Sequence, residues 1–136
     1  MKQGEASDRE QIVDLLARLA HATDQGSLEE YGACFTEDAA MHLPGAPAPV
    51  IGRDNLLASS KARRASGGVG PGSKTRHVVA TTSVRVDGDT AASTSYIVFY
   101  STEGAAPVAK AVLVYSDRFR RTGGGWLMSE RRASPG

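Results

Sequence analysis

The chain has 136 residues with 16 basic and 15 acidic side chains, a net charge of +1 at pH 7. That length fits one domain able to bury a core with a pocket in it. The near-neutral balance offers nucleic acid no electrostatic footprint, and no apolar run approaches the ~20 residues of a membrane span.

Cys34 is the only cysteine, so no intrachain disulfide forms. The first eight residues lack the apolar centre of a signal peptide, and a cytoplasmic setting is expected. The pairs Arg63-Arg64, Arg120-Arg121 and Arg131-Arg132 read as solvated helix ends and strand edges. Residues 1–136 are read as a single domain, with frayed ends at 1–6 and 133–136.

Ser7-Asp8-Arg9-Glu10 has the form of a capping box and predicts the start of a first helix. Ile12, Leu15, Leu16, Leu19 and Thr23 fall on one face of it at helical spacing, and Gln11, Asp14, Arg18 and Gln25 face water. It ends near Asp24-Gln25-Gly26. Ser27-Leu28-Glu29-Glu30 is a second capping box, opening a short helix with Leu28, Tyr31 and Phe35 that ends at Thr36-Glu37-Asp38. Ala39 to Leu43 is a short strand.

Prolines 44, 47 and 49 make a loop. Gly52-Arg53-Asp54 leads into a third helix with Leu56 and Leu57 as apolar contacts. It fades into a glycine-rich loop, Ala65 to Ser73, which lacks the lysine and spacing of a phosphate-binding loop. From Thr75 onward the pattern is all strand. The predicted segments are Arg76–Val86 with an irregularity at Thr81-Thr82, Thr90–Tyr100, Ala109–Arg121 and Gly125–Arg132. Asp87-Gly88-Asp89 and Gly123-Gly124-Gly125 are hairpin turns, and residues 101–107 a longer connection.

Helices first and consecutive hairpins after them give an α+β fold. The expected form is a cone-shaped α+β barrel, with three N-terminal helices packed on a strongly bent, mostly antiparallel sheet that encloses an apolar pocket.

Nearly the whole chain resembles the SnoaL-like branch of the nuclear transport factor 2-like superfamily. The resemblance is carried by Thr23-Asp24 at the end of the first helix and by residues 28–39, Leu-Glu-Glu-Tyr-Gly-Ala-Cys-Phe-Thr-Glu-Asp-Ala. Ile51-Gly52-Arg53-Asp54, Thr75-Arg76-His77-Val78-Val79, Tyr115-Ser116-Asp117-Arg118-Phe119 and Gly125-Trp126 complete it. The superfamily spans polyketide cyclases, scytalone-dehydratase-like lyases, ketosteroid-isomerase-like enzymes, epoxide hydrolases, dioxygenase small subunits and binding proteins, so fold does not decide function.

The resemblance implies a catalytic pair at Asp24 and His77. Two roles stay open: His77 as general base and acid with Asp24 fixing its tautomer, or Asp24 as the base. Tyr31, Tyr96 and Tyr115 are candidates to line the pocket and donate to a substrate oxygen, and His42 and Lys110 are further candidate substrate contacts. Ala20 and His21 stand where scytalone-dehydratase-like enzymes have a tyrosine, a departure from that pattern. The histidines lack zinc-ligand spacing, and no dinucleotide, nucleophile-elbow or iron motif is present, so no cofactor is expected.

The leading expectation is a cofactor-independent cyclase, dehydratase or isomerase of a hydrophobic, carbonyl-bearing, polyketide-like or steroid-like molecule. The alternative is a non-catalytic small-ligand-binding protein or accessory subunit of the same fold. A homodimer is expected, joined across an outer sheet face that carries Val98, Val112 and Val114.

Overall fold

The structure is a computed structural model that describes residues 3–136, with side chains from Asp8 onward. The described residues form α1 (Gln3–Asp24), α2 (Leu28–Gly32), β1 (Phe35–His42), β2 (Val50–Ile51), α3 (Arg53–Ala65), β3 (Thr75–Asp87), β4 (Thr90–Glu103), β5 (Ala106–Thr122) and β6 (Gly125–Pro135). All six strands join one sheet in the order β2-β1-β6-β5-β4-β3. Every pairing is antiparallel except β1 with β6, which run parallel. The sheet curves around the helices but does not close, because β2 and β3 stand at its two edges. The architecture is therefore α+β as expected, an open cone and not a barrel.

The apolar stripe of α1 does what its spacing predicts. Ile12, Leu15, Leu16 and Leu19 are buried against Phe35, Phe119, Trp126 and Met128 from the sheet. The opposite face, with Gln11, Asp14 and Arg18, is exposed. α1 begins at Gln3, so Ser7 lies inside the helix and does not start it; the Ser7 side chain falls outside the described residues. The second capping box forms: Ser27 Oγ accepts from the Glu30 amide, and the Glu30 carboxylate accepts from the Ser27 amide, both at 3.0 Å.

α2 is shorter than its pattern suggests. It stops at Gly32, and Phe35 to Asp38 already belong to β1. A Cβ on Gly32 would meet Leu57 of α3 at 3.0 Å, so a bare backbone lets the helices approach there. The strands run longer than predicted. β4 and β5 pair out to Glu103 and Ala106, and Gly104, at φ 63°, takes the left-handed turn position, so the expected long connection is a tight hairpin. The C-terminal end does not fray: Ala133, Ser134 and Pro135 pair with Tyr115, Val114 and Leu113, and the Gly136 amide donates to the Val112 carbonyl at 2.9 Å.

Three bulges aim the side chains. In β3 the register shifts between Ala80 and Ser83, and Thr81 sits at φ 54°. The extra residue lets His77 and Val79 before it, and Val84 and Val86 after it, all turn toward the helices. In β5, Lys110 is the extra residue opposite Phe99 and Tyr100. In β6, Ser129 is the extra residue that brings Arg131 opposite Asp117.

The closing hairpin is clasped to α1. Asp8 accepts two hydrogen bonds from the Arg121 guanidinium at 2.8 Å and one from Trp126 Nε1 at 3.1 Å. Arg121 also lies over the Trp126 ring, 4.5 Å from its centre.

Candidate active site

A cavity of about 310 Å³ lies between α1, the end of α3 and the concave face of the sheet. Its wall is mostly apolar, with Leu16 and Leu19 from α1 facing Val79, Ile97, Phe99 and Leu113 from the strands. Its polar lining groups are Thr23 and His77, then Tyr115 on β5, and beyond it, toward β6, Arg131 with Arg63 and Tyr31.

Asp24 is the last residue of α1, and the chain turns sharply behind it. The Gln25 and Gly26 amides both donate to the His21 carbonyl, and a Cβ on Gly26 would come within 2.8 Å of the Ala22 Cα. Arg64 of α3 clamps the same turn by donating to the Ala22 carbonyl at 2.8 Å and to the Gly26 carbonyl. It stands where a cation is favoured, at a helix C-terminus. The Asp24 carboxylate is thereby delivered, 5% exposed, against the start of β3.

There it meets His77 twice. Its Oδ2 accepts from the His77 backbone amide at 2.9 Å, and its Oδ1 lies 2.6 Å from the ring Nδ1. A carboxylate only accepts, so the proton of that bond sits on Nδ1 and the neutral ring keeps its lone pair on Nε2. Among the described residues Nε2 has no partner. The ring is 18% exposed, lines the cavity and is braced by the Phe99 ring, 4.8 Å away centre to centre. Asp24 itself is not part of the cavity wall.

Tyr31 and Tyr115 also line the cavity. Tyr31 packs edge-on against Phe35 at 5.1 Å, and Tyr115 lies beneath the Arg131 guanidinium, 3.8 Å from the ring centre. Burial pushes both phenols above their ordinary value, although Arg63 and Arg131 pull the other way. Both hydroxyls are therefore protonated donors at neutral pH.

Three other candidates lie elsewhere. Tyr96 is on the outer face of the sheet and 53% exposed. Lys110, at its bulge, pairs with Glu103 on the exposed hairpin. His42 alternates with Met41 and Leu43, which line the cavity, and so turns away to meet Glu130 through Nε2 at 3.1 Å.

Two arginines that the sequence places among solvated basic pairs belong to this wall. Arg131 donates to both oxygens of Asp117 at 2.8 and 2.9 Å, and the Asp117 side chain is wholly buried. Burial opposes the Arg131 charge, but the Asp117 carboxylate outweighs it and holds the group above its ordinary value. Arg63, half-buried on the last turn of α3, lines the cavity beside Tyr31. Arg63 and Arg64 diverge because successive residues leave a helix about 100° apart.

A model of the SnoaL-like domain matches residues 4–132. The chain belongs to the SnoaL-like domain family. Solved structures agree. An NTF2-like protein with a cystatin-like fold from Novosphingobium aromaticivorans is 27% identical, with a TM-score of 0.79 over 96% of this chain and 82% of that one. A single-site variant of Rv3472, a protein of unknown function from Mycobacterium tuberculosis, is 26% identical, with a TM-score of 0.81 over 94% of this chain and 76% of that one. A proposed dehydratase of the NTF2-like family from Streptomyces avermitilis, 23% identical with a TM-score of 0.81 over 96% of this chain and 97% of that one, shares the fold. No curated protein matches the sequence. No helix of this SnoaL-like domain, among the described residues, is long and apolar enough to cross a membrane.

Proposed function

We propose that this SnoaL-like domain is a cofactor-independent enzyme that moves a proton on a hydrophobic, carbonyl-bearing small molecule. The reaction classes that fit are cyclisation, dehydration and isomerisation of polyketide-like or steroid-like substrates. The observation that carries the reading is the double contact of Asp24 with His77, which leaves Nε2 as the free nitrogen of a ring on the cavity wall.

In this reading His77 is the base. Nε2 takes the proton from a carbon next to the substrate carbonyl, and the electron pair of that C–H bond moves onto the carbonyl oxygen as an enolate. The Tyr115 hydroxyl donates to that oxygen. Asp24 holds the ring in one tautomer and offsets the positive charge that it takes up with the proton. The enolate then collapses. The proton returns from Nε2 to a second carbon in an isomerisation, or to a β-hydroxyl that leaves as water in a dehydration. In a cyclisation it goes to the alkoxide formed when the enolate carbon attacks a second carbonyl. The apolar wall excludes water that would compete for the base.

Asp24 as the base is less favoured, because both of its oxygens are engaged by His77 and it does not border the cavity. A pocket protein without catalysis, or an accessory subunit, has no need of a buried carboxylate committed to orienting one imidazole. The test is His77→Ala assayed on carbonyl substrates found by screening: turnover should be lost with the fold intact.

For assembly we propose a homodimer across the outer sheet face, where Val78, Tyr96 and Val112 are exposed together on adjacent strands. Sedimentation of the wild type and of Val112→Asp tests it: a dimer that the substitution splits supports the reading, and a monomeric wild type refutes it.

A further inference from the structure

The arginines of the cavity take no part in proton transfer at His77, and their charges do not balance. Asp24 is committed to His77 and Asp117 to Arg131. Arg63 donates to Ser59 Oγ at 2.8 Å and lines the cavity together with Tyr31, and among the described residues it has no ion-pair partner. A half-buried guanidinium on an apolar cavity has given up part of its hydration with no counter-charge in return. The group that restores the balance is an anion brought by the ligand.

The donor chemistry narrows that anion. A guanidinium presents a planar fork that matches two oxygens on one carbon, and the Tyr31 hydroxyl adds a neutral donor beside it. The wall between this end and His77 is mostly apolar. Arg131, which faces the same end, and His77 lie on β6 and β3, with β5 and β4 between them. One elongated apolar molecule therefore spans the two ends.

We propose that Arg63 and Tyr31 form a carboxylate-binding subsite, so that the ligands of this cavity are apolar carboxylic acids held by the carboxylate while their far end lies at His77. The assignment of the reacting end rests on the function proposed above; the subsite itself does not.

The test is calorimetric binding of naphthalene-carboxylate and naphthalene-carboxamide to the full chain near neutral pH. The wild type binds the carboxylate about ten-fold or more tightly than the amide, as expected for a charge-assisted fork. Arg63→Met removes that preference by weakening the carboxylate and sparing the amide. Arg63→Lys keeps part of it, which separates loss of charge from loss of fold. Equal affinities in the wild type, no carboxylate binding at all, or full carboxylate affinity in Arg63→Met overturns the subsite. Neither probe needs to react, so these results leave the His77 reading untouched. Conversely, intact charge preference together with full turnover in His77→Ala overturns the catalytic reading alone.

Discussion

The Asp24 carboxylate grips one residue at two points, the ring nitrogen and the backbone amide of His77. The amide contact fixes the carboxylate against the strand, and the ring contact then fixes the imidazole. This predicts a specific outcome for Asp24→Asn. An asparagine has one acceptor oxygen and one donor nitrogen, and the backbone amide can only donate. The side-chain oxygen must therefore turn to the backbone, leaving its NH₂ to face Nδ1 and driving the ring proton to Nε2. Nitrogen NMR of labelled histidine should show the Nδ1–H tautomer in the wild type and the Nε2–H tautomer in the variant. A wild type with its proton on Nε2 contradicts the geometry.

The Asp117–Arg131 pair is buried beside the cavity, beneath which Tyr115 stacks. Asp117→Ala leaves a buried guanidinium without its partner and should cost about 3–5 kcal/mol of stability. The double change Asp117→Leu with Arg131→Met removes both charges and should recover most or all of that loss. Urea unfolding of the three proteins measures both effects. Equal losses in the single and the double variant would refute this account of the pair.

The clasp between α1 and the closing hairpin predicts an acid-dependent stability. The Arg121 hydrogen bonds, and after them that of Trp126, hold the Asp8 carboxyl at about 2, below its usual 3.8. The folded value lies below the unfolded one, so the clasp contributes fully above about pH 4 and loses its contribution as the pH falls through the folded value. The gap in melting temperature between the wild type and Asp8→Asn should be constant near neutral pH and close on acidification toward pH 2. Emission from Trp126, the one tryptophan of the chain, reports the same contact. A gap that stays unchanged on acidification rules the clasp out.

Much of this was legible in the sequence because it is local. The α1 stripe, the Ser27 capping box, the Thr81-Thr82 irregularity and the Gly88 and Gly123–Gly125 turns are written in spacing and turn chemistry. What was illegible depends on register. Counting back from the Thr122–Gly125 pair without a bulge sets Asp117 opposite Glu130, a like charge; the bulge at Ser129 replaces it with Arg131. The bulge at Lys110 likewise turns a residue of an apolar run out to Glu103. Arg63 belongs to a basic pair, and nothing in a dipeptide tells which helix face meets a cavity. Asp24 and His77 stand 53 positions apart, and their contact follows from the resemblance, not from any pattern of their own.

In the proposed mechanism His77 moves the proton and Asp24 positions it. The most direct test measures turnover of a carbonyl substrate by the wild type and by His77→Ala, with melting curves to show that both are folded. The account predicts a folded variant whose rate falls by roughly a hundred- to ten-thousand-fold, the usual worth of a general acid–base group. A folded His77→Ala protein that works at the wild-type rate would contradict it.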